Sequence, residues 1–131
     1  VAERAAEHAL DLAEATDASV HALSVVETAE LGTYLSDTEP GEFNQDAQQA
    51  VADVAAMAES RTVQATTHIE IGSANDGILT AIEEFDCQAV VMGTTGRRGT
   101  ERILLGSVAE RTVRTAPVPV LTVGEDADGA E

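Results

Sequence analysis

The sequence predicts an α/β domain, an open, doubly wound parallel sheet arranged as a Rossmann-type three-layer sandwich. Three observations carry that expectation. Segments patterned as helices and as strands alternate along the 131 residues, and such alternation implies right-handed crossovers with helices on both faces of a parallel sheet. Residues 88–92 form an apolar run, as expected of a central strand covered on both faces. A glycine-rich loop, 93–99, follows at once, at the carboxyl end of that strand.

Each element has its own signal. Residues 1–15 are rich in Ala, Leu and Glu, with Ala6, Leu10 and Ala13 near helical spacing. Residues 19–26 read as a strand. Residues 28–42 carry Gly32, Pro40 and Gly41 with little periodicity and are expected to be a surface loop. Residues 44–60 are helical, with Ala47, Val51, Val54 and Ala58 on one stripe. From 62 to 71, Val63, Ala65, Thr67, Ile69 and Ile71 alternate at the period of a strand with one covered face. Residues 74–85 predict a short helix with Ile78, Ile82 and Phe85 inward. An apolar turn at 103–105, a helix at 107–115 and a last strand at 118–123 complete the order. Residues 1–124 are expected to form one domain and 125–131 an acidic, disordered tail. Since four helices each precede a strand, the alternation also implies a further strand ahead of residue 1.

Charge excludes several functions. The chain has 24 acidic and 7 basic residues, a net charge of −17, and every basic residue is arginine. Such a chain repels nucleic-acid backbones, so DNA and RNA are not expected partners. No apolar run approaches the roughly 20 residues of a membrane span, and no secretory signal opens the sequence. The lysine-free acidic surface resembles proteins of salt-loving archaea, where high salt screens the repulsion, and it predicts unfolding when salt is dialysed away. Cys87 is the single cysteine. It excludes an intrachain disulfide, favours a cytoplasmic address, and beside an apolar run is expected to be a buried, inert thiol.

On this acidic background Arg97, Arg98, Arg102, Arg111 and Arg114 cluster in a segment that begins within the run of Gly93, Gly96 and Gly99. Glycines let backbone N–H groups approach a ligand closely, and successive N–H groups form a nest for anions. Ser107 and Glu110 have the spacing of a capping box, which would start a helix at Ser107 and aim its positive end at the same place. Ligands of open parallel sheets sit at the carboxyl ends of strands. Two readings of the loop stay open: a phosphate site, or a glycine turn whose arginines pair surface carboxylates. It is neither a Walker A loop nor G-x-G-x-x-G.

The residues Val90-Val91-Met92-Gly93-Thr94-Thr95-Gly96-Arg97 and Leu104-Leu105-Gly106-Ser107-Val108 closely resemble the universal stress protein signature. In the nucleotide-binding branch that signature is a glycine, two residues, a glycine, nine residues, a glycine, then serine or threonine. Gly93, Gly96, Gly106 and Ser107 match it without a spacing error. The ending Pro117-Val118-Pro119-Val120-Leu121 is similar too, as is Gly72 leading into Ile78 and Leu79, so the likeness covers residues 1–123.

The resemblance implies an adenine-nucleotide-hydrolase-like fold and an ATP-binding regulatory protein of the stress response, with little or no turnover. It implies that Gly93 contacts ribose, that Gly96, Gly106, Ser107 and Val108 hold phosphates, and that Arg97 adds charge or faces solvent. Val25 would meet the adenine with its backbone, and Met92 would line that pocket. Any magnesium would be held mainly by the nucleotide. The final strand, 118–123, would pair across a homodimer interface. The family opens with a strand and an aspartate motif, to which nothing here corresponds. Two other functions stay open, a nucleotide-free dimeric interaction module and a nucleotide-hydrolysing enzyme. No catalytic or metal-binding side chains are assigned: His8, His21 and His68 fall on different elements without ligand spacing, and Glu83 and Glu84 are expected on a solvated face.

Overall fold

The computed structural model describes residues 2–27, 40–94 and 106–124. They form α1 (Ala2–Thr16), β1 (Val20–Glu27), α2 (Pro40–Ser60), β2 (Ala65–Gly72), α3 (Ala74–Glu84), β3 (Val90–Gly93), α4 (Ser107–Thr115) and β4 (Val120–Val123). The expected turn at 103–105, the tail at 125–131 and residues 28–39 of the expected loop 28–42 lie outside the described residues, while residues 40–42 of that loop belong to α2.

The parallel architecture is as expected, and it comes in two halves. β1 pairs with β2, and β3 with β4, each pair parallel. Among the described residues no strand ladder joins β1 to β3. β3 was expected to be covered on both faces. Among the described residues it is half-buried along its length with β4 as its strand partner, and it runs over Val90–Gly93 where 88–92 was expected.

Packing follows from the alternation of side chains along the strands. His21, Leu23 and Val25 of β1 face α3. Ala22 and Val26 are buried on the other face, where α2 packs against both strands with Ala47, Val51 and Ala58 buried. α1 packs chiefly on β3, touching β1, β4 and α2, and its inward stripe is Ala6, Leu10 and Ala13, with Leu10 fully buried. Arg61, just past α2, holds α2 to α1 by bonds to Asp11 and to Glu14 at 3.1 Å. Those two carboxylates, Glu14 foremost, keep the guanidinium firmly charged.

The final strand, expected over 118–123, starts at Val120, and two further boundaries differ from the sequence reading for identifiable reasons. α2 starts at Pro40, four residues early; proline lacks an N–H that the first helical turn cannot use, and its fixed φ suits that position. β2 starts at Ala65, three residues late, because Thr62 adopts a φ of 55° and closes α2. There the Val63 N–H donates to the Ala58 carbonyl at 2.9 Å. α1 and α3 end in the same way. Asp17 and Asp86 have φ of 59° and 54°, and the next N–H groups, of Ala18 and Cys87, reach back to the Ala13 and Ile82 carbonyls. This is the Schellman closure, usually made by glycine.

Candidate functional site

The start of α4 is held against the end of β3. The N–H of Thr94 donates to the Val123 carbonyl at 2.9 Å, extending the β3–β4 ladder by one rung. The Thr94 carbonyl then accepts the Gly106 N–H at 2.6 Å. Gly93, at the strand end, is thereby brought beside Gly106, Ser107 and Val108, although more than ten residues separate them in sequence. Thr94 is buried, with 8% of its surface exposed. The sequence reading gave it no role, and its backbone is the joint of the site. On the far side Arg4 of α1 donates through Nε to the Gly124 carbonyl at 3.2 Å, fixing the end of β4.

α4 begins at Ser107 as expected, but not by a capping box. The N-cap is Gly106, extended at φ −67° and ψ 163°, with no side-chain cap bond. Ser107 is already the first helical residue, so its hydroxyl sits one position too late to cap. The Glu110 N–H donates to the Gly106 carbonyl at 2.9 Å, and the Glu110 carboxylate turns to Arg114 at 3.1 Å. The arginine cluster is thus partly structural. Arg114 pairs one turn back and Arg111 is exposed, while Arg97, Arg98 and Arg102 lie outside the described residues, as does Gly96. Further along α4, Thr112 is fully buried and donates its hydroxyl to the Val108 carbonyl at 2.7 Å.

The first three N–H groups of a helix have no acceptor within it. At α4 those groups belong to Ser107, Val108 and Ala109, with Ser107 exposed and, among the described residues, no side-chain cap at Gly106. Together with the helix dipole, this arrangement can hold an anion. Met92 is half-buried on β3, opposite Thr122.

Val25 belongs to the other half, on β1 opposite Glu70. It lies under α3 so closely that a Cβ on Gly77 would come within 3.1 Å of its Cγ2 methyl. A groove of about 270 Å³ runs between α3 and the strands there, lined by Val25, His68, Glu70, Asp76, Gly77 and Glu84 among others. α3 also packs on α4, with the Asn75 amide 3.5 Å from the Thr115 hydroxyl. The structure therefore brings Gly93, Gly106, Ser107 and Val108 together, and it sets Val25 in a separate groove under α3.

One cluster escaped the sequence reading. His21 and His68 meet at 3.0 Å under Phe85; 47 residues separate them, and only the β1–β2 register brings them together. Cys87 is half-buried and donates its thiol toward the Ala81 carbonyl. Burial, and then the Asp86 carboxylate, push that thiol upward from its ordinary range, so it is a poor nucleophile.

Parallel strand pairs with helices on their faces, and a helix starting at a strand's carboxyl end, define an α/β protein of Rossmann-like build. The Universal stress protein family model matches residues 1–124, and the chain belongs to that family. It is 37% identical over 129 residues to Universal stress protein MJ0531 of Methanocaldococcus jannaschii, covering 94% of this chain and 75% of that protein. It is 30% identical over 128 residues to Putative universal stress protein SSP1056 of Staphylococcus saprophyticus, covering 93% and 75%. Among solved structures it is similar to hypothetical protein MJ0577, with TM-score 0.79, 21% identity and coverage of 95% and 88%. A universal stress protein from Archaeoglobus fulgidus gives 0.77, 21%, 92% and 87%. These structural likenesses speak for the fold. No helix among the described residues is long and apolar enough to cross a membrane.

Proposed function

We propose that the protein binds an adenine nucleotide, ATP with magnesium carried on its phosphates, and that it acts as a stress-response regulator with little or no turnover. The observation that carries this reading is the 2.6 Å bond from Gly106 to Thr94, which sets an uncapped helix start against the end of β3. The donors present suit a phosphate: the first-turn N–H groups of Ser107, Val108 and Ala109, and the exposed Ser107 hydroxyl. In this reading Gly93 supports the ribose, Gly96 and Arg97 complete the phosphate loop, Met92 lines the base pocket, and Val25, whose side chain lies in the groove under α3, meets the base with its backbone alone. ATP would supply a polyphosphate whose charge the helix end and the arginines balance. Binding without turnover fits the surroundings of Ser107, since the Glu110 carboxylate is engaged with Arg114 and the histidines lie on α1, β1 and β2.

Titration calorimetry in multimolar potassium chloride, with ATP and magnesium against AMP and GTP, tests the reading. Saturable binding of ATP that Gly106→Val removes is the expected result. Unchanged affinity in that variant would sink the assignment.

A homodimer through β4 is the companion proposal. Its support is apolar exposure on the outer half: Leu121 of β4 and Val113 of α4 are 46% and 48% exposed. Sedimentation of Leu121→Glu as a monomer, from a dimeric parent, is the expected outcome. We also take the −17 charge and single cysteine to reflect a halophilic, cytoplasmic setting, in which salt screens the surface. Loss of the folded state on dialysis into dilute buffer, reversed by potassium chloride, is its signature.

A further inference from the structure

His21 on β1 and His68 on β2 both face α3. The register sets His21 opposite Thr66 and Leu23 opposite His68, so the two histidines are diagonal neighbours. Nδ1 of His21 lies 3.0 Å from Nε2 of His68. Their centroids are 5.2 Å apart with planes 24° from parallel, which is the separation of two imidazoles meeting edge to edge through that bond. Phe85, the residue that ends α3, lies across both. Its centroid is 4.5 Å from His21 at 5°, and 4.3 Å from His68 at 24°. Those distances place the phenyl ring about 3.5 Å above the midpoint of the pair, in van der Waals contact. The aromatic ring roofs the hydrogen bond.

Counting protons shows what the pair tolerates. Two neutral rings supply one N–H donor and one acceptor at the contact. A single added proton keeps the bond, now charge-assisted, and sets a cation against the Phe85 face. A second proton makes donors of both facing nitrogens. The bond is then lost, and two like charges meet beneath the ring. The groove also presents Glu70 from β2 and Asp76 and Glu84 from α3, with Asp86 and Cys87 following Phe85 in the chain. α2 covers the far face of these strands with buried Ala47, Val51 and Ala58. The Glu70, Asp76 and Glu84 carboxylates line the groove, but they cannot restore an acceptor between two imidazolium rings.

We propose that His21, His68 and Phe85 form a proton-operated clasp, which pins the C-terminal end of α3 to the β1–β2 pair and releases it when both imidazoles are charged. Burial first, and His68 second, hold His21 below the ordinary histidine range. The stability it contributes is therefore complete above about pH 6.5 and is lost as the pH falls through its lower, folded-state value. The clasp stands whether or not the protein binds a nucleotide.

The test is a nuclear magnetic resonance titration of the full chain, without nucleotide and at constant potassium chloride, from about pH 8 to about pH 4.5. It follows the imidazole signals of His21 and His68, the Phe85 ring signals, and exposed His8 as the in-molecule comparison. The expected result is that nuclear Overhauser contacts from Phe85 to both rings survive the first protonation and vanish with the second. In His68→Gln, which keeps a hydrogen-bonding group but cannot take the second charge, the Phe85 signals are expected to stay fixed. Phe85 contacts that persist with both histidines charged would overturn the clasp. So would an equal Phe85 displacement in His68→Gln. Should that variant not fold at pH 8, the wild-type titration decides alone.

Discussion

α3 and α4 both start from a backbone turn at the carboxyl end of a strand, and they close their first turns in opposite ways. α3 follows directly on β2. Gly72 swings the chain at φ 142°, Ser73 is the N-cap, and its hydroxyl accepts the Asp76 N–H at 3.4 Å. α4 has glycine at the corresponding place and, among the described residues, no side-chain cap across its end. A helix start closed by its own serine has spent its donors on the fold. One left open, and tethered to a strand end by Thr94, keeps them for something else.

Four substitutions break or sharpen that contrast, and the largest effect belongs to the open end. Gly106→Val is expected to cost at least about 100-fold in ATP affinity, near 2.7 kcal/mol, with little change in melting temperature. A matching fall in stability would make Gly106 a folding residue like Gly72. At the closed end, Gly72→Ala forces an alanine into a backbone region reserved for glycine and is expected to cost about 1–3 kcal/mol, read by urea denaturation. Ser73→Ala removes a working cap and is expected to lose about 1 kcal/mol. Ser107→Ala, one residue inside its helix, is expected to shift stability by no more than about 0.5 kcal/mol while weakening ATP binding. If Ser73→Ala and Ser107→Ala destabilise equally, the two helix starts are alike and the contrast fails.

Much of this architecture was legible in the sequence, because periodicity reports burial directly. Ala6, Leu10 and Ala13, and Ala47, Val51 and Ala58, proved to be the buried stripes of α1 and α2. The order of elements along the chain followed in the same way, whereas the first residue of α4 came from a capping-box spacing that the structure does not use as a cap. Helix ends were less legible. Asp17, Thr62 and Asp86 occupy left-handed positions where glycine is the usual sign; Asp17 and Ala18 read as the exit from the first helix, but nothing marked the other two, and Thr62 was read into the strand. At the candidate site, the spacing of Gly93, Gly106 and Ser107 pointed to residues that the Gly106–Thr94 bond brings together, but which residue is the N-cap turns on a backbone angle at Gly106. The His21–His68 pair was illegible for a different reason, since register joins residues 47 apart and leaves no local trace.

The division of the strands into two pairs reaches beyond geometry, to how the molecule comes apart. β1, α2 and β2 close one unit with its own ladder, and β3, α4 and β4 close another. The units are tied by helix packing, of α1 on β3 and α3 on α4, and by single bonds such as Arg4 to Gly124. Within the first of them the ladder and the buried stripe of α2 form one contiguous body, so the amides of β1 and β2 are expected to fall on a single isotherm in native-state amide exchange, and separate isotherms would show that the ladder opens piecemeal.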